Sequence, residues 1–513
     1  MPRPFAPAWL PWIAASVLAL SGLFVLYLRQ AQTWRPDSDA AATALQAWDM
    51  LHGNVLLHGW WLSDVTFYTT ELPEYMLVEA LRGLHTDVVA VCSALTYTLL
   101  VLLVALLAKG RAHGREGIVR VLLAAGLMLS PGIIRGTNAL LGTPDHTGTA
   151  VPVLLILLLL DRAEDWKRRW PVPVMVCLML TWVQIADLLA TYAAAVPLAL
   201  VGGGRAAVAM TRRRGPREEW RYDLALTAAA VGSVPLAHAS LAAIHSHGGF
   251  SVYPVPGPLL GSLAAVPTHA LVVGESVLVL FGADFFGQPT RFEAALALLH
   301  LAAVAVAALA LLVGIRGFFS RLDRVGQVLV TGTIVMLAAG VFGTHMPNLT
   351  FAHEIAIVLP FSAALAGRLL AGPLVRARLE PTLAVGLAAY LGALCYAATG
   401  APAPGPNQAA ADWLMAHGLT YGLADYWQAD SITFDTGGRV TVASLSPGTT
   451  AARHWNADAG WYDARSHYAD FVLTKAPSSV IVSTFGRPAR TYHYEQYIIM
   501  VWHRNLLPLV SGG

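Results

Sequence analysis

Charge is what this sequence has least of. Asp, Glu, Lys and Arg make up 12% of its 513 residues, against 56% hydrophobic ones, where an average soluble domain is about 25% charged. Together with a mean hydropathy of +0.57, this excludes an ordinary soluble domain and points to a polytopic membrane protein. A formal net charge of +2 offers no field for nucleic acid. The three cysteines, Cys92, Cys177 and Cys395, all fall inside apolar segments, so neither a disulfide framework nor a CxxC metal site is available. There is also no P-loop, no GxSxG and no HExxH, which removes the common sites of soluble nucleotide, acyl-transfer and zinc-peptidase chemistry.

Long apolar runs are what it has instead. "MPRPFAPAWLPWIAASVLALSGLFVLYLRQ" has a basic start and an apolar core of about 20 residues, enough for ~30 Å of hydrocarbon, and reads as an uncleaved first helix. Further runs at 88–108, 118–134, 147–160, 171–185, 188–203, 223–243, 291–315, 325–343, 354–372 and 381–399 predict an all-α chain of about eleven spans. The fifth and sixth are close together, so two short, tilted helices should turn at "QIADLL", around Asp187. Segment 257–285 is apolar but broken by glycines and prolines, which predicts a re-entrant or surface-lying helix.

Basic residues recur on alternate connections: Lys109, Arg111 and Arg115; Arg162, Lys167, Arg168 and Arg169; Arg212, Arg213, Arg214 and Arg217; Arg316, Arg321 and Arg324; Arg376 and Arg378. The positive-inside rule makes that face cytoplasmic, with the N-terminus. Loops 30–87, 135–148, the Asp187 turn, 245–290, 343–353 and the chain beyond 400 then face outward. Residues 1–399 form the membrane domain. After the linker "APAPGPNQ", residues 400–513 turn polar and aromatic and predict a small extracytoplasmic α/β domain. Its strands are expected in "SITFDTGGRVTVASL", with a hairpin at Gly437-Gly438, and in "DFVLTK", "SSVIVSTFG" and "QYIIMVWH", with a short helix at "DWLMAHGL".

Acids gather in the outward loops. "WRPDSDAAATALQAWDMLHGN" carries Asp37, Asp39 and Asp49, followed by two helix-like stretches, Ala40–Met50 and Pro73–Leu84, and by Trp60 and Trp61, which suit the headgroup level. The plain reading of Ser38 or Asp39 is a helix cap; the sharper reading is a carboxylate that takes a proton from an attacking hydroxyl or binds a divalent ion. In the next outer loop, "RGTNALLGTPDHTGTAVPVLL" puts Asp145 and His146 at the mouth of the fourth span, as a cap or as ligands. Carboxylates with imidazole and water suit Mg or Mn. Asp187, Arg291, His353 and Glu354 stand at the same level as candidate substrate-binding residues.

The arrangement resembles the GT-C superfamily of polyprenyl-phosphate-dependent membrane glycosyltransferases. The likeness covers most of the chain: many spans, a long first outer loop with an acid just after the first span, a second acid in the next outer loop, and an outer C-terminal domain. Asp37 or Asp39 matches the first-loop acid, and Asp145 in "PDHTGT" matches the second-loop motif. The segments "AWDMLHGN" and "PDHTGT", with the Ala-, Gly- and Arg-rich composition, also resemble multi-span proteins of high-GC actinobacteria. There is no WWDYG-like acceptor motif, which argues against asparagine-linked oligosaccharide transfer, and "FAHEIAIVLP" stands where relatives often carry an Arg-Tyr pair. The resemblance implies transfer of a sugar from a membrane lipid-linked donor to an extracytoplasmic glycan, lipid or protein, with a first-loop Asp as base. It implies that Asp145 and His146, and a divalent cation such as Mg or Mn, steady the leaving phosphate. A non-catalytic scaffold of degenerate GT-C fold and a transporter are the alternatives.

Overall fold

The computed structural model describes residues 10–132, 139–166, 169–211, 217–254, 259–344, 349 and 351–512. The basic start at 1–9, part of the second outer loop (133–138), Lys167, Arg168, Arg212, Arg213, Arg214, Gly257 and Pro258 lie outside the described residues.

In chain order the membrane part contains α1 (Leu10–Gln32), α2 (Ser38–Leu51), β1 (Trp60–Leu62), α3 (Glu71–Arg82), α4 (Val88–Lys109), α5 (Gly114–Met128), α6 (Thr147–Ala163) and α7 (Pro171–Ala186). A π-helical turn, Thr191–Ala195, runs into α8 (Val196–Thr211). Then come α9 (Arg217–Ser246), β2 (Ser251–Val252), α10 (Val266–Leu280), α11 (Phe292–Arg316), α12 (Arg324–Phe342), α13 (Phe351–Glu354), α14 (Val358–Arg376) and α15 (Glu380–Ala397). The C-terminal part adds α16 (Gln408–Ala416), β3 (Tyr421–Asp425), α17 (Tyr426–Asp435), β4 (Thr441–Leu445), β5 (Ala457–Asp458), β6 (Phe471–Thr474), α18 (Ser479–Phe485), β7 (Arg490–Tyr494) and β8 (Tyr497–Val501).

Each of the eleven expected runs is helical. Among the described residues, nine helices are long and apolar enough to cross a membrane, and α10 is one of them. Three of the expected spans are shorter: α5 has 15 residues, α6 has 17 and α7 has 16, which at 1.5 Å per residue reach only about 22 to 26 Å. α7 ends at Asp187, whose extended backbone (φ −148°, ψ 114°) makes the turn. Segment α10 is held at both ends to one face. Before it, the Gly261 amide donates to the Phe342 carbonyl at the end of α12, at 2.8 Å. After it, Gly282 (φ 70°) leaves so little room that a Cβ would stand 3.2 Å from Gly132, just past α5. A helix that begins and ends on one face is re-entrant or surface-lying rather than a span.

The described basic residues converge. Arg111, Arg120, Arg205, Arg324 and Arg368, from the α4–α5 link, α5, α8, α12 and α14, line one cavity of about 440 Å³. Arg324 donates to Asp223 and Glu164, and Arg368 donates to Asp161 and Asp323. The alternate connections therefore share an arginine-rich face, and the acid-bearing loops gather at the other end of the helices.

At that other end, α2 is packed within protein. Its run "DAAATALQA" puts Ala40, Ala41, Ala44 and Ala47 inside a core shared with Leu72 and Tyr75 of α3 and Phe434 of α17, and side chains this small let the neighbouring helices approach closely. Trp60 and Trp61, expected at a headgroup level, are both engaged by protein. They lie in β1, which pairs with β2 in parallel and with β5 antiparallel. Trp60 donates its indole N–H to Asp49 at 2.8 Å, and Trp61 stacks on His454. This three-stranded sheet ties the first loop, the α9–α10 connection and the C-terminal part together.

The C-terminal sheet has the order β4-β3-β6-β8-β7, parallel across β4, β3 and β6 and antiparallel across β6, β8 and β7. The strands at "DFVLTK" and "QYIIMVWH" and the helix at "DWLMAHGL" are present as expected. The hairpin at Gly437-Gly438 is not: "SITFD" ends α17, and the two glycines, at φ 60° and 77°, terminate that helix. "SSVIVSTFG" also folds as a helix, α18.

Candidate active site

The chain leaves α1 through a short turn and enters α2 with Asp37 as its N-cap. The Asp37 side chain accepts the Ala40 amide at 3.0 Å, an arrangement worth about 1 kcal/mol. Asp37 is exposed to water. The protein mass around it, with Asp39 and Asp145 as like charges, raises its carboxyl to about 7.

Asp39, two residues on, points into protein. Its carboxyl accepts from the Tyr426 hydroxyl and from Asn456 at 3.4 Å, and Trp455 adds a further hydrogen bond. Burial raises Asp39 despite these donors. Asn456 also donates to the Tyr426 hydroxyl at 3.0 Å, and the Arg453 guanidinium lies 4.5 Å over the Tyr426 ring. The Ser38 hydroxyl adds a bond to the Tyr426 carbonyl at 2.8 Å. The two aspartates therefore divide the work: Asp37 meets solvent, and Asp39 fastens α17 and the β4–β5 connection to α2.

The second loop delivers Asp145 and His146 to the start of α6. His146 adopts φ 58°, uncommon for a side-chain-bearing residue, and stands at the N-cap position of α6 without making a side-chain cap bond. Its Nδ1 lies 2.8 Å from Asp187 Oδ2. Asp187 is 1% exposed at its side chain and also accepts from the Thr149 hydroxyl and the Leu189 amide, each at 2.8 Å. Burial pushes the imidazole down, but Asp187, then Asp145 and Glu354, outweigh it and carry His146 up to about 9. Asp187 is correspondingly low: burial opposes its charge, and His146 with the Leu189 and Thr149 donors overcomes it. The pair is an imidazolium–carboxylate ion pair at neutral pH. Asp145 is raised to about 6 by burial, with Thr143 and His146 pulling the other way, and its Oδ1 is buried without a hydrogen-bond partner.

His353 and Glu354 reach the same place on α13. His353 is held down to about 4 by burial and by the charge of His146, and Glu354 acts on His146 in turn. Arg291 does not join them. It lines a separate cavity between α1, α11 and α15. Sequence reasoning missed Glu71, which is fully buried on α3, accepts from the Thr70 hydroxyl, and is raised well above its ordinary value by burial, with Asp187 and Asp145 adding to the effect. It also missed Tyr426, Asn456 and Arg453, hundreds of residues away from Asp39. Among the described residues, no three His, Cys, Asp or Glu side chains form a group able to hold a metal by themselves.

A bundle of apolar spans, outer-loop helices carrying the acids and a C-terminal α/β part docked on them make up a fold shared with a solved multi-span membrane protein. The chain is similar over 99% of its length, and 100% of the other, to ArnT from Cupriavidus metallidurans in the apo state, at TM-score 0.57 and 12% identity. Against the same protein bound to undecaprenyl phosphate the TM-score is 0.56 and the identity 14%, over 99% of this chain and 100% of that one. The oligosaccharyltransferase of Archaeoglobus fulgidus, tethered with an acceptor peptide, aligns over 93% of this chain and 70% of that one at TM-score 0.49 and 16% identity. No protein-family model and no curated protein matches the chain.

Proposed function

We propose that this protein is a membrane glycosyltransferase that moves a sugar from a polyprenyl-phosphate donor to an acceptor hydroxyl, with Asp37 as the general base. The observation that carries the reading is the carboxyl of Asp37: it is open to water, held by the backbone amides of Ala40 and Asp39, and raised to about 7. A base is most effective when its pKa lies near the operating pH. Asp39, engaged by Tyr426 and Asn456, is the positioning residue.

In the step itself, Asp37 takes the proton of the acceptor hydroxyl. The freed oxygen forms a bond to the anomeric carbon as the bond from that carbon to the phosphate oxygen breaks, and the polyprenyl phosphate leaves with the electron pair. Charge then develops on the phosphate, where the His146 imidazolium, held by Asp187 at 2.8 Å, supplies a fixed positive group. His353 and Glu354 border the same charge. The orphan oxygen of Asp145 fits a Mg or Mn ion that would be bound through that carboxylate, waters and the substrate phosphate; such an ion would neutralise phosphate charge when bound. The acid-bearing face is extracytoplasmic in this reading, because arginines collect at the opposite face, and the N-terminus is cytoplasmic in a cell-membrane protein.

The test is transfer of labelled sugar from polyprenyl-phosphate donors by the purified protein. Asp37→Asn should lower the rate by roughly 10²–10⁴-fold, the usual worth of a general base, while the capping oxygen and the melting temperature are kept. Ordinary turnover in Asp37→Asn removes the base assignment, and a wild-type protein inert toward every donor removes the enzyme.

A further inference from the structure

A second cavity, of about 550 Å³, lies on the acid-bearing face where the C-terminal ends of α1 and α15 meet the N-terminal end of α11, and its lining includes Gln30, Trp34, Arg291, Glu293, Tyr396 and Thr399. Its chemistry is unlike that of the aspartate cluster. Arg291 is exposed, and among the described residues its guanidinium has neither an ion pair nor a hydrogen bond. Arg291 is also the N-cap of α11 and makes no side-chain cap bond. The first amides of a 25-residue helix therefore lack intrahelical acceptors, and the positive end of its dipole borders the cavity, an arrangement that favours an anion.

Gln30 supplies an independent sign of a ligand. It is 3% exposed, and its amide nitrogen donates to the carbonyls of Pro131 and Gly132 at 3.0 and 2.9 Å. Its Oε1 is buried without a hydrogen-bond partner. Buried acceptors in native proteins are nearly always satisfied, so this oxygen lacks the donor of an occupant. The carboxylate of Glu293, the one acid of the group, accepts the Tyr396 hydroxyl at 2.8 Å. The three helices that wall the cavity turn apolar side chains outward: Val25 is 53% exposed, Leu298 51% and Leu391 43%. In a membrane these surfaces meet hydrocarbon, and Trp34 beside them suits the headgroup level.

We infer that this cavity seats the phosphate headgroup of a membrane lipid that carries a free hydroxyl. The phosphate meets Arg291 and the open amides of α11, the hydroxyl donates to Gln30 Oε1, and the hydrocarbon follows the outer surfaces of α1, α11 and α15. Only Arg35 and Pro36 separate Trp34 from Asp37, so the site adjoins the proposed base without sharing its residues, and its occupation does not depend on the transferase reading.

The experiment is binding of short-chain phosphatidylglycerol to the full-length protein in neutral detergent, followed by native mass spectrometry and thermal shift. Phosphatidylcholine, phosphatidylmethanol, glycerol phosphate and inorganic phosphate are the comparison probes. Phosphatidylglycerol should bind best, and phosphatidylmethanol, which lacks the hydroxyl, several-fold more weakly. Arg291→Gln, an exposed position where folding is not at stake, should weaken phosphatidylglycerol roughly tenfold or more, as loss of a charged hydrogen bond does. Asp37→Asn should leave the binding unchanged, which separates this site from the catalytic reading. Equal binding of phosphatidylcholine, or an Arg291→Gln variant that binds as wild type, overturns the inference. Saturation by glycerol phosphate or inorganic phosphate at the same concentration as the lipid overturns the lipid assignment.

Discussion

The His146 imidazole stands 2.8 Å from the Asp187 carboxylate, although 41 residues separate them in the chain. The contact joins the start of α6 to the turn after α7, and it keeps a positive charge at a place crowded with acids. Its stability follows the His146 proton. The folded value is raised from the ordinary 6.5 to about 9, so this contribution is fully present below pH 6.5 and is lost as pH rises through about 9. A shift of this size corresponds to about 3 kcal/mol. Asp187→Asn removes the partner: the variant should melt several degrees lower at pH 6.5, and its melting temperature should fall less than that of the wild type between pH 6.5 and 9. Glu79, raised to about 9 by burial, titrates in the same sense in both proteins, so the difference between them is the readout. Parallel curves would mean that the pair is not charged.

Catalysis should follow Asp37 in the opposite direction, because a base works only when deprotonated. With its carboxyl near 7, kcat/KM should climb with pH and level off above about 7.5. Asp145 is one of the like charges that hold Asp37 up. In Asp145→Asn the rising limb should therefore move to lower pH, even though the maximal rate falls. A pH profile is a sharp measurement here: a limb that stays in place uncouples the two loops.

Much of this architecture is readable from residue order, for identifiable reasons. Spans announce themselves by length and apolarity, and the arginines on alternate connections state the parity that the cavity around Arg324 and Arg368 reproduces. The Asp-His pair at 145–146 and the acid at 187 are visible as outer-rim residues, but their ion pair is a product of tertiary packing. α17 is illegible because every residue from Gln428 to Asp435 is buried, so it has no polar stripe, and "SITF" carries strand-type side chains whose preference the packing on α2 overrides. α18 did carry a local signal: the Ser478 hydroxyl accepts the Ile481 amide, a helix N-cap in a stretch whose valines and isoleucines suggest a strand. Glu71 gives no sign at all, since an acid in the first turn of a helix is ordinary, and only the fold buries it beside Gly148.

That proximity is testable. A Cβ at Gly148 would stand 2.5 Å from Glu71 Oε1, inside the contact distance of any carbon and oxygen. Gly148→Ala should destabilise the protein by about 1–3 kcal/mol, the usual cost of overpacking. Glu71→Ala empties that space, so in the double variant the second substitution should cost far less than it does alone, a non-additivity expected only of residues in contact. Thermal or denaturant melting of the four proteins reads it, and additive losses would deny the contact.

Tyr426 and Asp39 allow the last test, which separates docking from chemistry. The Tyr426 hydroxyl donates to Asp39 and receives the Asn456 amide, so one phenol oxygen links α17, the β4–β5 connection and α2. Tyr426→Phe keeps the ring under Arg453 but deprives a buried carboxylate of its strongest donor, at a cost of about 1–3 kcal/mol. The C-terminal part should then loosen first: hydrogen exchange should rise in α17 and α2 and stay unchanged in α4 and α14, whose contacts lie in the membrane bundle. Asp39→Asn should produce the same local loosening while retaining a rate well above that of Asp37→Asn, because the amide preserves the side chain's shape and the proton acceptor is one residue pair earlier in the chain. If Asp39→Asn is as inert as Asp37→Asn but shows native exchange, the roles of the two aspartates are the reverse of those assigned.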